Sequence, residues 1–173
     1  MFKIKIISIF LIASLSYWIT ASCGVSYKFN NAKLDYSVYK TIAIGDFQNQ
    51  APLVYPPLYQ EFNDALKNAY SRQTRLQIVA QNGDYNIEGA IVNYSQQPLA
   101  VGADGLAAQT RLNITVRVRF TNAKNSSEDF ERSFSAYKDF PSTTTFESVQ
   151  GQLTTEIVTE IIDQIFNATV ASW

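Results

Sequence analysis

Residues 109–122 alternate between apolar and polar side chains, and this pattern constrains the fold more than any other. Because successive side chains of a strand point to opposite faces, one face of this segment is apolar and the other is polar. The apolar set is Leu112, Ile114, Val116, Val118 and Phe120, and the polar set is Arg111, Asn113, Thr115, Arg117, Arg119 and Thr121. The pattern predicts a sheet with one buried face.

The neighbouring segments predict the rest of an α+β fold. Further strands are expected at 41–47, 74–80, 85–96 and 129–139, and a loop at 48–52. Residues 58–70 carry apolar side chains at helical spacing, and Pro57 suits a first helical turn. A second, long helix follows near the end of the chain. The order predicts two helices packed on one face of a mixed, mostly antiparallel sheet of four to five strands.

The second helix is expected to begin at a capping box formed by Thr144 and Glu147, whose side chains can each reach the other's backbone amide. Its broad apolar stripe continues almost to Trp173. About 26 residues at 1.5 Å each give a helix of about 39 Å, longer than a small sheet is wide. Either the whole stripe packs on the sheet, or the last turns around Trp173 contact a partner or stay mobile.

The N-terminal segment has the parts of an export signal. Lys3 and Lys5 precede an apolar stretch, residues 6–19, that is too short to span a bilayer and ends in small residues before Cys23. Bacterial lipoprotein signals resemble this pattern, although Thr20 stands where Leu is usual. We therefore expect a signal peptide at 1–22, a lipidated tether at 23–40 anchored at Cys23, and one domain at 41–173. The alternative is an ordinary secretory peptide followed by a free thiol.

Composition excludes several classes of function. The chain has no histidine and its one cysteine is the expected lipid site, so imidazole and thiolate metal sites, and catalysis by these groups, are excluded. Without residues 1–22 it carries 12 basic and 15 acidic residues, a net charge of −3, which makes nucleic acid an unexpected partner. No acidic residue lies in a recognisable catalytic motif. We expect no enzyme activity and no cofactor.

Several strings, in order along the chain, resemble the lipopolysaccharide-assembly lipoprotein family LptE. They are 47–54 (FQNQAPLV), 73–76 (QTRL), 107–112 (AAQTRL), 118–122 (VRFTN), 129–131 (DFE) and Trp173. The resemblance implies two helices on a four-stranded mixed sheet and no enzyme activity. It also implies an outer-membrane lipoprotein of a Gram-negative bacterium that acts as a plug and assembly partner of the LptD β-barrel in lipopolysaccharide transport. The alternative is a periplasm-facing scaffold or binding module that does not associate with LptD.

Three arginines on the polar face of the strand predicted at 109–122 are the candidate lipopolysaccharide contacts. Guanidinium groups suit bidentate contacts with phosphate, so Arg111, Arg117 and Arg119 could bind an anionic ligand. Alternatively, these arginines pair across the sheet with Glu88, Glu131 or Asp129, or contact the barrel wall. The polar strand face and the loops at 48–56 and 98–108 are the expected docking surfaces for the barrel.

The lipid anchor predicts a simple labelling result. Cells supplied with labelled palmitate should incorporate the label into the wild-type protein, because Cys23 is the expected acylation site. The Cys23→Ala variant should carry no label. Equal labelling of the two proteins would contradict lipidation at this cysteine.

Overall fold

The computed structural model describes residues 34–99 and 109–170. Along these residues the chain forms six strands and two α-helices. They are β1 (Thr41–Ile44), β2 (Gln48–Asn49), α1 (Pro56–Gln73), β3 (Gln77–Val79), β4 (Tyr85–Pro98), β5 (Gln109–Asn122), β6 (Phe130–Pro141) and α2 (Phe146–Thr169). A short 3-10 helix, Ser126–Glu128, lies between β5 and β6.

The strands form a single mixed sheet in the order β3–β1–β4–β5–β6. β1 runs parallel to both β3 and β4, whereas β4, β5 and β6 form an antiparallel series. The α+β prediction is confirmed, but the sheet has six strands rather than four to five. The additional strand, β2, lies within the predicted loop and pairs parallel with Ala90 and Ile91 of β4. Its residues, Gln48 and Asn49, are polar and carry no alternation that could have revealed a strand.

One face of the sheet forms the core, as the alternation in β5 predicts. The five apolar side chains of β5 named above are fully buried. They belong to one hydrophobic cluster with Phe62 and Leu66 of α1 and Ile157 and Ile161 of α2. Both helices therefore cover the same face, and the other face carries polar side chains.

Helix α1 is fixed to the sheet by a buried amide as well as by apolar packing. Asn63 is 5% exposed. Its Oδ1 accepts a hydrogen bond from the Phe47 backbone N–H at 2.8 Å, and its Nδ2 donates to the Phe47 carbonyl at 3.2 Å. Since a buried backbone group without a partner is costly, Asn63 completes the pairing of the chain between β1 and β2.

Helix α2 has 24 residues and does not begin with the predicted capping box. Its N-cap is Thr145, one residue later than the box requires, and no side chain caps the helix there. Instead, the Ser148 hydroxyl donates to the Thr145 carbonyl at 2.7 Å. The apolar stripe is buried or half-buried as far as Val170, so it packs against the core along the described helix. Trp173 lies outside the described residues.

Residues 34–40, from the segment predicted as a tether, contact the domain. Leu34, Tyr36 and Tyr39 pack against the core, and the Tyr39 ring stacks on Tyr85 with centroids 4.6 Å apart. The remaining residues of the predicted tether lie outside the described part of the chain.

Asp84 clamps the start of β1 to the start of β4. Its Oδ2 accepts hydrogen bonds from the backbone N–H groups of Lys40 and Thr41, at 2.7 and 3.0 Å. Its Oδ1 forms an ion pair with the Lys124 ammonium at 2.9 Å. The Lys124 side chain, followed by the Lys40 amide, holds the pKa of the Asp84 carboxyl well below its usual range.

Because of the Asp84 contacts, the free energy of unfolding should fall in acid. Because the folded-state pKa is depressed, the contribution of Asp84 is fully present above the pKa of an unfolded aspartate and is lost as the pH falls below it. In urea unfolding, Asp84→Asn should lower the free energy of unfolding by about 2 kcal/mol at pH 7, and by progressively less below about pH 4. Asp64→Asn, at an exposed position of α1, is the control and should change it by less than about 0.5 kcal/mol. A difference between wild type and Asp84→Asn that did not shrink in acid would contradict the clamp.

Candidate functional site

The polar face of the sheet is the candidate site, and the strand register decides which of its arginines are available. On this face Arg111, Arg117 and Arg119 of β5 lie opposite Gln97, Ala90 and Glu88 of β4. On the other side they lie opposite Asp139, Ser133 and Glu131 of β6. The structure therefore brings all three predicted arginines to one face, in two different settings.

Arg111 is committed to a structural contact. Its Nε and one terminal nitrogen donate to the two oxygens of the Asp139 carboxylate, at 2.7 and 2.9 Å. The same guanidinium lies 3.6 Å from the centre of the Tyr137 ring. This bidentate bond lowers the pKa of Asp139. A phosphate would have to displace Asp139 before it could use the fork of Arg111.

Arg117 and Arg119 are held much more loosely. Arg117 comes within 4.0 Å of Glu131, and Arg119 within 3.4 Å of Glu88. Their side chains are 51% and 61% exposed, whereas that of Arg111 is 30% exposed. Since exposed single ion pairs contribute little, both guanidinium groups can change partner at low cost.

The two loosely held arginines line a groove of about 400 Å³ on the same face. Small residues, Gly45, Gly89 and Ala90, leave space along the groove. Its other lining residues, Asp46, Gln50, Glu88 and Glu131, supply oxygen acceptors and one amide beside the two cations. The groove can therefore receive a ligand that carries both an anionic group and hydroxyl groups.

Gly89 lies in register with Val118, on the core side of β4, and its lack of a side chain allows close packing there. A Cβ at this position would lie 2.0 Å from the Arg117 carbonyl oxygen and 2.6 Å from the Phe47 ring. Both distances are far below van der Waals contact, so a side chain here would displace β5. The glycine therefore keeps the backbone that carries Arg117 in place.

Sequence reasoning identified two of the ion pairs and missed the third. Glu88 and Glu131, two of the partners expected from the sequence, contact Arg119 and Arg117. Asp129, the third expected partner, instead accepts the backbone N–H of Asn122 at 2.7 Å through its carboxylate. Asp139, the partner of Arg111, was not foreseen. The register of the β5–β6 hairpin would have identified it, because the two residues are directly opposite each other.

The predicted signal peptide and lipid site cannot be compared with the structure. Cys23 and residues 1–22 lie outside the described residues. In residues 34–99 and 109–170, no three histidine, cysteine, aspartate or glutamate side chains are grouped so that they could hold a metal ion. The helices in these ranges are also not long and apolar enough to cross a membrane.

The chain matches one protein family over most of its length. Residues 39–169 match the family described as LptE, lipopolysaccharide-assembly, so the match extends from before β1 to the last residue of α2. The chain belongs to the LptE family. The LptE match contains all three arginines, the groove and both helices. No curated protein sequence matches the chain.

Two solved structures share this fold at low sequence identity. XCC0632 from Xanthomonas campestris has a TM-score of 0.58 at 11% identity, covering 77% of this chain and 85% of that one. The hypothetical protein CT253 from Chlamydia trachomatis has a TM-score of 0.53 at 8% identity, covering 75% of this chain and 97% of that one. At these identities the likeness shows a shared fold alone and carries no information about function.

Proposed function

We propose that this LptE-family protein is an outer-membrane lipoprotein of the lipopolysaccharide transport machinery and the plug and assembly partner of an LptD-like β-barrel. The observation that carries the proposal is the family match across nearly all of the described domain. A lipid on Cys23 would hold the protein at the membrane, since acyl chains bind bilayers through their buried methylene groups. The function requires no cofactor and no catalytic step.

The polar sheet face supports a role inside an aqueous barrel. A plug must present polar groups to a water-filled lumen, and this face carries hydroxyl, amide and ion-pair ladders. Thr115 and Ser135 are joined by a hydroxyl bond of 2.9 Å across β5 and β6, and the Asn93 amide donates to the Ser95 hydroxyl at 3.0 Å. Such a face remains hydrated without exposing the core.

A pull-down tests the partner. Tagged full-length protein with Cys23 intact, extracted from outer membranes in mild detergent, should recover a large β-barrel protein at about one to one. Recovery of the lipoprotein from the outer membrane without a barrel would contradict the plug role. It would favour an independent scaffold or binding module.

We further propose that lipopolysaccharide phosphates bind Arg117 and Arg119, and that Arg111 does not take part. The first two have exposed guanidinium groups beside a groove, whereas Arg111 is occupied by Asp139. A phosphate offers two oxygens in the geometry of a guanidinium fork, whereas Arg117 and Arg119 each have one exposed carboxylate contact, at 4.0 and 3.4 Å.

Matched variants test this assignment. The double variant Arg117→Ala/Arg119→Ala should weaken lipopolysaccharide binding by the purified full-length protein in detergent at least about tenfold, because charge-assisted hydrogen bonds are lost. Arg111→Ala removes one positive charge from the same face and should leave the affinity within about twofold, whereas Arg117→Ala and Arg119→Ala, each also the loss of one charge, should each weaken binding by more than that. Equal losses of affinity in the two variants would indicate a general effect of positive charge. They would contradict the assignment of lipopolysaccharide binding to Arg117 and Arg119.

A further inference from the structure

Two adjacent rows of the polar sheet face, each crossing β4, β5 and β6, contain no charged side chain. On β5 these rows lie between Arg111 and Arg117. We call them the neutral patch, and its six residues are Asn93, Thr115 and Ser135 in one row and Ser95, Asn113 and Tyr137 in the other. Because the patch offers hydrogen bonds but no cation, it suits a different part of a ligand from the arginine groove.

The neutral patch keeps hydrogen-bonding groups that the fold leaves unused. Thr115 and Ser135 share one hydrogen bond between their hydroxyls, so one of these two O–H groups remains available to donate elsewhere. Within residues 34–99 and 109–170, the Asn113 amide and the Tyr137 hydroxyl form no hydrogen bond. Amides and hydroxyls both donate and accept, so the patch presents donors and acceptors side by side.

Tyr137 adds an aromatic surface to the neutral patch. It is 51% exposed, and it is the only aromatic residue among the large hydrophobic residues that the described parts of the chain expose. The Arg111 guanidinium lies near its ring, but the pairing of Tyr137 with Asn113 across β5 and β6 fixes its backbone independently of that contact. An exposed ring beside amides and hydroxyls combines an apolar contact surface with directional hydrogen bonds.

A saccharide matches this combination of groups better than other classes of ligand. A sugar ring has apolar C–H groups on its faces and hydroxyls around its rim, so it can pack on an aromatic ring and bond to amides and hydroxyls at the same time. An apolar ligand would cover the amides and hydroxyls of the patch without giving them partners, which is costly. A phosphate would find no cation in the patch.

The neutral patch adjoins the arginine groove on the same strand and the same face. Thr115 and Arg117 are two residues apart in β5, which separates them by about 7 Å along the strand. An uncharged surface next to two guanidinium groups matches the charge distribution of a sugar that carries phosphate, because the ring is uncharged and its substituent is anionic. One such molecule can therefore contact both parts of the face.

We propose that the neutral patch binds the sugar rings of a phosphorylated saccharide whose phosphate groups contact Arg117 and Arg119. The inference rests on the proposed function and names the part of lipopolysaccharide that this region of the face recognises. Tyr137 provides the packing surface, and the Asn113 amide and the hydroxyls of the patch provide the hydrogen bonds. The competing occupant is a protein surface lying on the same face, and the experiments separate the two.

Variants of the neutral patch test its part in binding. The probe is the saccharide of lipopolysaccharide from which acyl chains and phosphates have been removed, titrated against the purified full-length protein in detergent. Tyr137→Thr, which retains a strand-favouring side chain, and Asn113→Ala should each weaken binding at least about fivefold. The double variant Arg117→Ala/Arg119→Ala and the control Asn68→Ala, at an exposed position of α1, should each leave the affinity within about twofold.

Nuclear magnetic resonance of the wild-type protein gives a second measurement, which does not depend on how the variants fold. The same saccharide should shift the side-chain amide signals of Asn113 and leave those of Asn68 unchanged. No shift at Asn113, an equal shift at Asn68, or equal affinities of the wild type and Tyr137→Thr would overturn the inference.

Photo-crosslinking in outer membranes separates the saccharide from a protein occupant. A photo-crosslinking residue at position 135 should give an adduct with lipopolysaccharide, and an adduct with protein alone would overturn the inference. If the wild-type protein binds intact lipopolysaccharide but not the phosphate-free saccharide, the saccharide inference fails and the proposed function stands. If it binds neither lipopolysaccharide nor a barrel, the proposed function itself fails, so the two failures are distinguishable.

Discussion

The one-sided sheet is the constraint on which the rest of the structure depends. The five apolar side chains of β5 have no exposed surface, and each contributes about 2 kcal/mol when it is removed from water. Before the opposing conformational entropy is counted, their combined contribution of about 10 kcal/mol is as large as the net free energy of unfolding of a small domain. Two helices must therefore lie over this face, and the long apolar stripe of α2 and the shorter one of α1 provide the cover. The opposite face is left open to solvent and to ligands.

Covering one face also determines where polar groups can be buried. Asn63 lies inside the core and bonds both polar groups of the Phe47 backbone. The Tyr70 hydroxyl of α1 bonds the Thr169 hydroxyl of α2, and burial raises the pKa of that tyrosine. Asn63 and Tyr70 each bond from α1 to another segment of the chain. These contacts fix how the helices lie on the sheet, which apolar packing alone specifies less sharply.

The open face of the sheet carries the ligand contacts that we propose. It holds two loosely paired arginines beside a groove, with a third arginine fixed by Asp139. Because the pairing differs between these arginines, one polar face contains both a structural ion pair and guanidinium groups that can change partner.

The sequence determined the features that depend on local periodicity. Alternation in 109–122 specified the buried face, helical spacing placed α1 and α2 closely, and proline marked the start of α1. Local signals were less informative at element ends: the strand β2 has too few residues to show a period, and the predicted capping box failed because α2 begins one residue later than the box requires.

Only the tertiary structure decided the pairing between distant segments. It made β1 parallel to β4 and placed Asp139, rather than Asp129, in contact with an arginine of β5. Strand register and side-chain partners depend on residues far apart in the chain, whereas periodicity is set by neighbours. For this reason the sequence alone placed three arginines on one face, but it could not distinguish the arginine that is fixed from the two that remain available.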